Sequence, residues 1–193
     1  MSESQEPGRP GRYQRSPGGL LAAMVVTVLA VIAFAGFRAL TTDHASTPIQ
    51  SVDYTRTVAG ARADHLLLVM APARLPAGWR ATSATYLTGM SPSWHLGMLT
   101  KASKYVGIEE ARTSTAKLAE EHVDTHAVRG QDVTIDGSTW ETWSDNGGDY
   151  AVARSTKVGG RTYESWLVVG SAPEREIRDF AGSLEGGTIR PAG

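Results

Sequence analysis

The chain has 193 residues, of which 20% are charged, and a formal net charge of −1 at pH 7. It contains no cysteine, so disulfides, thiolate metal sites and thiol catalysis are excluded. From position 43 onward, 15 basic and 18 acidic residues are mixed along the chain. This balance lacks the basic stripe that is typical of a nucleic-acid-binding protein.

Residues 16–37 form a run of 22 residues without a formal charge. As a helix that rises about 1.5 Å per residue, the run would reach roughly 33 Å, enough to cross a hydrocarbon core of about 30 Å. Three arginines precede it, at positions 9, 12 and 15, and only Arg38 follows it closely. We therefore predict a single-pass plasma-membrane protein in which residues 16–37 contact the lipid bilayer, residues 1–15 form a disordered cytoplasmic tail and the rest lies outside.

The competing interpretation of this segment is a secretory signal peptide. Its apolar core would be residues 20–32, and the small-residue box Ala33-Phe34-Ala35 would direct cleavage near Ala35. The uncharged run continues past that box and is longer than a normal signal core, so we favour an uncleaved anchor. Both alternatives place the following domain outside the cytoplasm.

After the anchor, residues 38–48 are predicted to form a short spacer and residues 49–193 one extracytoplasmic domain. About 145 residues are enough for a single domain with its own apolar core. At this size the domain does not need disulfides for stability.

The domain alternates strand patterns with helical patterns. The predicted elements are a helix over 52–62, strands over 66–70, 80–87, 94–100 and 105–110, a helix over 114–123, and strands from 133 and 140 and over 150–158 and 162–169. Asp136-Gly137 and Gly159-Gly160 accept positive φ at both central positions of a hairpin turn. Ser171 and Glu174 form a capping box that predicts a closing helix. The order predicts an α+β domain with an antiparallel sheet of about 6–8 strands and two or three helices.

No motif in the sequence indicates a particular reaction or cofactor. His122 and His126 would present two imidazoles to one metal ion on a continuous helix, but no further ligand is identifiable. Residues 145–149 are rich in oxygen ligands yet lack the spacing of a calcium loop. Glu109 and Glu110 are adjacent, which points them in different directions on a strand and makes them a poor acid/base pair. We predict no metal, no cofactor and no catalytic residue.

The five tryptophans are the best indication of a binding surface, because aromatic faces with a polar edge line lipid and glycan sites. Trp79 lies beside the turn at Pro76 and Gly78. Trp94 lies in a strand pattern, where a tryptophan side chain ordinarily packs in the core. We take Trp79, its neighbour Arg80 and Trp94 as the candidate ligand-binding residues.

Several segments after the apolar run resemble a known family. They are Val52-Asp53-Tyr54, Ala71-Pro72, residues 75–83 (LPAGWRATS), Trp94-His95-Leu96-Gly97 and Gly137-Ser138-Thr139-Trp140. From the anchor on, nearly the whole chain resembles domain-of-unknown-function family 4245 (DUF4245), an uncharacterised actinobacterial family of single-pass membrane proteins. The resemblance implies a membrane-anchored domain. Because the family has no established activity, no catalytic or binding residues can be carried over from it. More loosely, the Pro-x-Gly-Trp entry and the final Ser-capped helix look like the α/β sandwich of PsbP and Mog1-type proteins, a fold used largely for binding.

Three functional hypotheses follow from these observations. The leading one is a membrane-anchored, non-enzymatic domain at the outer surface that binds an envelope component or another membrane protein. The second is a secreted carrier of an apolar or glycan ligand, released by cleavage near Ala35. The third is an envelope hydrolase whose residues converge in space from separate strands.

Overall fold

The computed structural model describes residues 51–158 and 162–187. The predicted cytoplasmic tail, transmembrane helix and spacer all lie outside these residues, as does the predicted Gly159-Gly160 turn. Within the described ranges, no helix is both long enough and apolar enough to span a bilayer.

The described part of the chain contains three helices and ten strands. The helices are α1 (Tyr54–Asp64), α2 (Thr115–His122) and α3 (Glu174–Gly182). The strands are β1 (Ala71–Pro72), β2 (Arg80–Leu87), β3 (Ser93–Leu99), β4 (Tyr105–Ala111), β5 (Val128–Arg129), β6 (Val133–Ile135), β7 (Ser138–Ser144), β8 (Tyr150–Val158), β9 (Thr162–Gly170) and β10 (Leu184–Glu185).

Eight strands form one sheet in the order β2-β3-β4-β9-β8-β7-β5, with β6 paired to β7. Every pairing in it is antiparallel, and β1 and β10 form a separate two-stranded sheet. Two meanders, β2 to β4 and β7 to β9, are joined where β4 pairs with β9. The predicted α+β class and antiparallel sheet are confirmed.

The sheet packs on both faces. On one side, called the α1/α3 face, Trp94, Leu96 and Met98 of β3 enter the larger apolar cluster together with residues of α1 and α3. On the other side, called the α2 face, Leu118 and Ala119 pack on apolar residues of β7, β8 and β9. Trp94, Leu96 and Met98 share one face because the strand period of two sends neighbouring side chains to opposite faces.

The hairpin predicted at Asp136-Gly137 is also confirmed. Ile135 pairs with Ser138, and the two turn residues have φ values of 46° and 70°. Positive φ at both central positions matches the right-handed twist of the flanking strands.

The apolar run after α1 is not a strand, and this prediction is wrong. Its backbone N–H groups donate to side-chain carboxyl oxygens instead of to a neighbouring strand. The N–H of Leu68 donates to Oε1 of Glu164 at 2.6 Å. Those of Val69 and Met70 donate to Oε1 and Oε2 of Glu110 at 2.8 and 2.7 Å. Because buried N–H groups need an acceptor, two carboxyl groups, one from β4 and one from β9, replace a partner strand here.

The predicted capping box of α3 is wrong as well. Pro173 occupies the N-cap position and makes no side-chain cap hydrogen bond. Ser171 contacts β4 instead, because its N–H donates to the carbonyl of Tyr105 at 3.1 Å and its Oγ accepts from the Tyr105 N–H at 3.3 Å. By contrast, Ser114 caps α2, accepting from the N–H of Lys117 at 3.2 Å.

Candidate functional site

An open groove of about 670 Å³ lies between the turn before β2, the turn between β3 and β4, and helix α3. Its lining combines aromatic, small and charged side chains: Pro76, Trp79, Lys101, Ala102, Glu176, Asp179, Phe180 and Ser183. Phe180 is buried, Trp79 is half-buried, and the charged residues are exposed. The groove therefore has an aromatic floor and a charged rim.

The floor is built by the turn that the sequence predicts. The N–H of Trp79 donates to the carbonyl of Pro76 at 3.0 Å, which closes the turn. The Trp79 ring then stacks on Phe180 of α3, with ring centroids 5.1 Å apart and an interplanar angle of 28°. Gly78 has φ +81°, and a Cβ there would lie only 3.1 Å from Cβ of Lys101. Glycine at position 78 therefore serves two purposes. It adopts the positive φ of this turn without strain, and its lack of a Cβ lets the β3–β4 turn approach closely.

The groove offers two kinds of interaction. The aromatic floor presents apolar surface, and the carboxylates of Glu176 and Asp179 accept hydrogen bonds while the ammonium of Lys101 donates them. An apolar surface with a few placed polar groups is the usual composition of a small-molecule site.

The three predicted ligand-binding residues do not come together. Trp79 lines the groove, but neither Arg80 nor Trp94 does. Trp94 is fully buried, and its indole N–H donates to the carbonyl of Met70 at 2.9 Å, so it belongs to the core of the α1/α3 face. Arg80 pairs with Leu99 at the start of β2, and its buried Nε has no hydrogen-bond partner among the described residues.

The two histidines considered for a metal do not share a helical face. Helix α2 ends at His122, and His126 lies beyond it with a side chain 92% exposed. In the described ranges, no group of three or more His, Cys, Asp or Glu residues is arranged to hold a metal ion. In the loop at 145–149, Oδ1 of Asp145 accepts from the N–H of Asp149 at 2.8 Å, so this carboxylate serves the turn itself.

A polar cluster that the sequence did not reveal lies on the α2 face of β2, β3 and β4. Ser83 Oγ lies 2.8 Å from Nε2 of His95, and His95 Nδ1 lies 2.6 Å from Oε1 of Glu109. The other carboxylate oxygen of Glu109 is 3.9 Å from Nε2 of His122 at the end of α2. These residues come from three strands and a helix, so only the strand register brings them together. Their polar positions in the strand alternation are the one sequence signal for them.

Two glycines make room for this cluster. Gly97 and Gly107 are register partners on β3 and β4. A Cβ on Gly97 would collide with Ser83 Oγ and lie 3.2 Å from His95 Nε2. A Cβ on Gly107 would lie 2.5 Å from the hydroxyl of Tyr105, so that ring extends over the glycine.

The electrostatics of the cluster depend on Glu109 and on burial. The hydrogen bond with Glu109 raises the pKa of His95 above its usual 6.5, although partial burial opposes the change. Burial raises the pKa of Tyr105 to about 12, with smaller contributions from Glu109 and Asp149. Tyr105 therefore remains neutral at physiological pH.

A family profile described as "Protein of unknown function (DUF4245)" matches residues 12–184. The search among curated proteins found no match. Two solved structures resemble the fold with a TM-score of 0.35 each: MucB in complex with MucA(peri), 12% identical, and the Pseudomonas aeruginosa MucA/MucB complex, 13% identical. Each match covers 62% of this chain and 37% or 35% of the other, so the chain spans little more than a third of their length.

Proposed function

We propose that this chain, which belongs to the DUF4245 family of proteins of unknown function, is a membrane-anchored protein that displays its α+β domain outside the cell and binds an envelope glycan. The observation that carries the binding proposal is the stacked pair of Trp79 and Phe180 at the floor of an open groove with a charged rim. The membrane location is supported by the uncharged run at 16–37 and the arginines before it.

A glycan fits the chemistry of the groove. The hydroxyl groups of a sugar ring donate hydrogen bonds to carboxylates, which Glu176 and Asp179 supply at the rim. The apolar face of the ring packs on an aromatic side chain, which Trp79 supplies at the floor. Lys101 adds a donor that suits a carboxylated sugar.

Calorimetric titration of the full-length protein with a disaccharide-peptide fragment of the cell wall tests the binding. The detergent is dodecyldimethylamine oxide, which carries no sugar headgroup. We expect saturable binding that weakens at least tenfold in Trp79→Ala, equivalent to about 1.4 kcal/mol. Tyr163→Ala removes an exposed aromatic side chain that does not line the groove, and it should bind like the wild type.

A second variant separates lost binding from lost folding, because Trp79 also packs on the core. Asp179 is exposed, so Asp179→Asn keeps the fold and weakens the acceptor at the rim. The glycan proposal requires reduced affinity in this variant with an unchanged melting temperature. No saturable binding by the wild type, or wild-type affinity in either variant, would refute it.

The membrane location has its own test. Alkaline phosphatase fused after Gly193 should be active, and a fluorescent protein that matures only in the cytoplasm should be dark at the same position. The secreted carrier remains the alternative, and mass spectrometry of the mature chain distinguishes the two. An N-terminus at Gly36 would favour secretion. An intact Met1 in the membrane fraction would favour the anchor.

A further inference from the structure

The polar cluster on the α2 face has the connectivity of a nucleophile, a base and an orienting acid. Ser83 Oγ is within 2.8 Å of one nitrogen of His95, and Glu109 is within 2.6 Å of the other. These are hydrogen-bond distances, and the pattern is the geometric signature of an activated serine. We propose that Ser83, His95 and Glu109 form a catalytic triad that hydrolyses carboxylic esters.

The hydrogen-bond donors and acceptors allow only one useful arrangement. An ionised Glu109 only accepts, so Nδ1 of neutral His95 must carry the ring proton. Nε2 is then left as an acceptor, and the hydroxyl of Ser83 donates to it. This tautomer is the one in which His95 can remove the proton from Ser83.

The acid is the most buried of the three residues. The side chain of Glu109 is 10% exposed, that of His95 is 31% exposed, and Ser83 is also partly exposed. An orienting carboxylate is most effective where water does not compete for it, whereas a nucleophile must be reached by substrate. Among the described residues, the apolar cluster beneath α2 takes none from β2 or β3, so this end of the α2 face is not part of that core.

A β-bulge in β2 sets the direction of the Ser83 side chain. The pairing of β2 with β3 shifts between Ala81 and Ser83, at Thr82, and β2 is an edge strand of the sheet. As a result, Thr82 and Ser83 both project over Gly97, since a Cβ there would meet both hydroxyls. Bulges commonly re-aim a side chain in this way near active sites.

The space above Gly97 is thus bordered by the proposed nucleophile, the proposed base and a second hydroxyl. Thr82 Oγ1 would lie 3.4 Å from a Cβ at Gly97, and His95 Nε2 would lie 3.2 Å from it. We assign to Thr82 a hydrogen bond to the oxyanion that develops on the substrate carbonyl. The ring of Tyr105, which extends over Gly107, limits this space on the β4 side.

The reaction balances with the ester and one water molecule as the only co-reactants. Ser83 Oγ forms a bond to the carbonyl carbon while its proton moves to Nε2 of His95. The bond from that carbon to the alcohol oxygen then breaks, and His95 returns the proton to the departing alcohol. Water next attacks the acyl carbon while its proton moves to Nε2 of His95. The bond from that carbon to Ser83 Oγ then breaks, and His95 returns the proton to Ser83, which leaves a carboxylic acid, an alcohol and the free enzyme.

Labelling with a fluorophosphonate tests the assignment directly, because this reagent bonds covalently to activated serines. With the full-length protein in detergent, peptide mass spectrometry should find the adduct on Ser83. His95→Gln should slow labelling at least a hundredfold, the lower end of the roughly 10²–10⁴-fold effect of a general base. Ser91→Ala removes an exposed serine and should label like the wild type.

Two further readouts distinguish catalysis from a merely structural cluster. Gly97→Ala should abolish labelling with little change in melting temperature, because its Cβ would displace the hydroxyl of Ser83 and crowd Nε2 of His95, which are both side-chain ends and not backbone. The labelling rate of the wild type should rise with pH through the raised pKa of His95, and Glu109→Gln should shift that rise toward lower pH. The neighbouring groups, His122 at Glu109 and Tyr105 over Gly107, are kept in both proteins so that the shift reports on Glu109.

The contrary outcomes are equally definite. Labelling of Ser83 no faster than that of Ser91 would overturn the triad, as would an unaltered rate in folded His95→Gln. Neither result bears on the groove around Trp79, because its lining includes no member of the triad.

Discussion

Two adjacent glutamates of β4, Glu109 and Glu110, show how the surroundings differ between the two faces of the sheet. Glu109 projects to the α2 face, is 7% exposed and shares a hydrogen bond with His95. Glu110 projects to the α1/α3 face, is 1% exposed and accepts two backbone N–H groups of the segment after α1. The same residue type at neighbouring positions therefore serves a side-chain cluster in one case and a backbone segment in the other. Strand alternation decides which surroundings each carboxyl meets.

The largest expected difference between the two is in stability. Glu110→Ala leaves the N–H groups of Val69 and Met70 buried without an acceptor, at about 1–3 kcal/mol each, so we expect a loss of roughly 2–6 kcal/mol. Glu109→Ala removes a hydrogen bond to His95, whose side chain is 31% exposed and can bond to water instead, so it should cost about 1 kcal/mol. Urea unfolding of both variants measures the difference, and equal losses would contradict the contrast.

The next prediction concerns glycines that differ in what surrounds them. Gly170 of β9 faces the backbone of β4, where a Cβ would collide with the carbonyl of Tyr105 and lie 3.0 Å from Cα of Val106. Backbone cannot move aside as a side-chain tip can, so Gly170→Ala should cost about 1–3 kcal/mol or more. Gly60 in α1 has nothing within 4 Å, so Gly60→Ala should stabilise by roughly 0.5–1 kcal/mol. Thermal unfolding should place their melting temperatures on opposite sides of the wild type.

A smaller effect is expected in the pH dependence of stability. Burial, with the nearby carboxyl of Glu164, raises the pKa of Glu110 from 4.5 to about 8. The folded state then holds this proton more tightly than the unfolded state. The resulting contribution to the free energy of unfolding is complete below pH 4.5 and is lost as the pH rises through about 8. Glu164→Gln removes one negative charge and should lower the pKa of Glu110. The decline in stability with pH should then be shallower. It should not disappear, because burial is the largest cause of the raised pKa.

Urea midpoints at pH 5 and pH 8.5 measure that change. Glu120→Gln, at an exposed position on α2, is the matched control and should decline like the wild type. A wild-type stability that rises between these pH values, or an equal decline in Glu164→Gln, would show that the assigned pKa is wrong.

The sequence predicts the features that depend on near neighbours. The alternation of β3 and the turn at Asp136-Gly137 follow from local rules, and the structure confirms both. The features that the sequence missed depend on distant residues. An apolar run after α1 resembles a strand until Glu110 and Glu164 supply its acceptors, and Ser171 resembles a cap until Tyr105 engages it.

The candidate sites follow the same division. Trp79 is recognisable because the turn that places it is a local signal, but its partner Phe180 lies a hundred residues further along the chain. Ser83, His95 and Glu109 meet only through the register of three strands, and a shift of one residue would separate them. Period-two patterns predict which face a residue occupies, but they do not predict which residues become partners.

The most direct test of the contrast between the faces is the state of the His95 ring, measured by nitrogen NMR in the folded protein. At pH 8 the proton should be on Nδ1, facing Glu109, and Nε2 should be unprotonated, facing Ser83. On acidification the ring should titrate with a pKa above 6.5. A ring protonated on Nε2 at pH 8, or one that titrates below 6.5, would contradict the organisation of the α2 face described above.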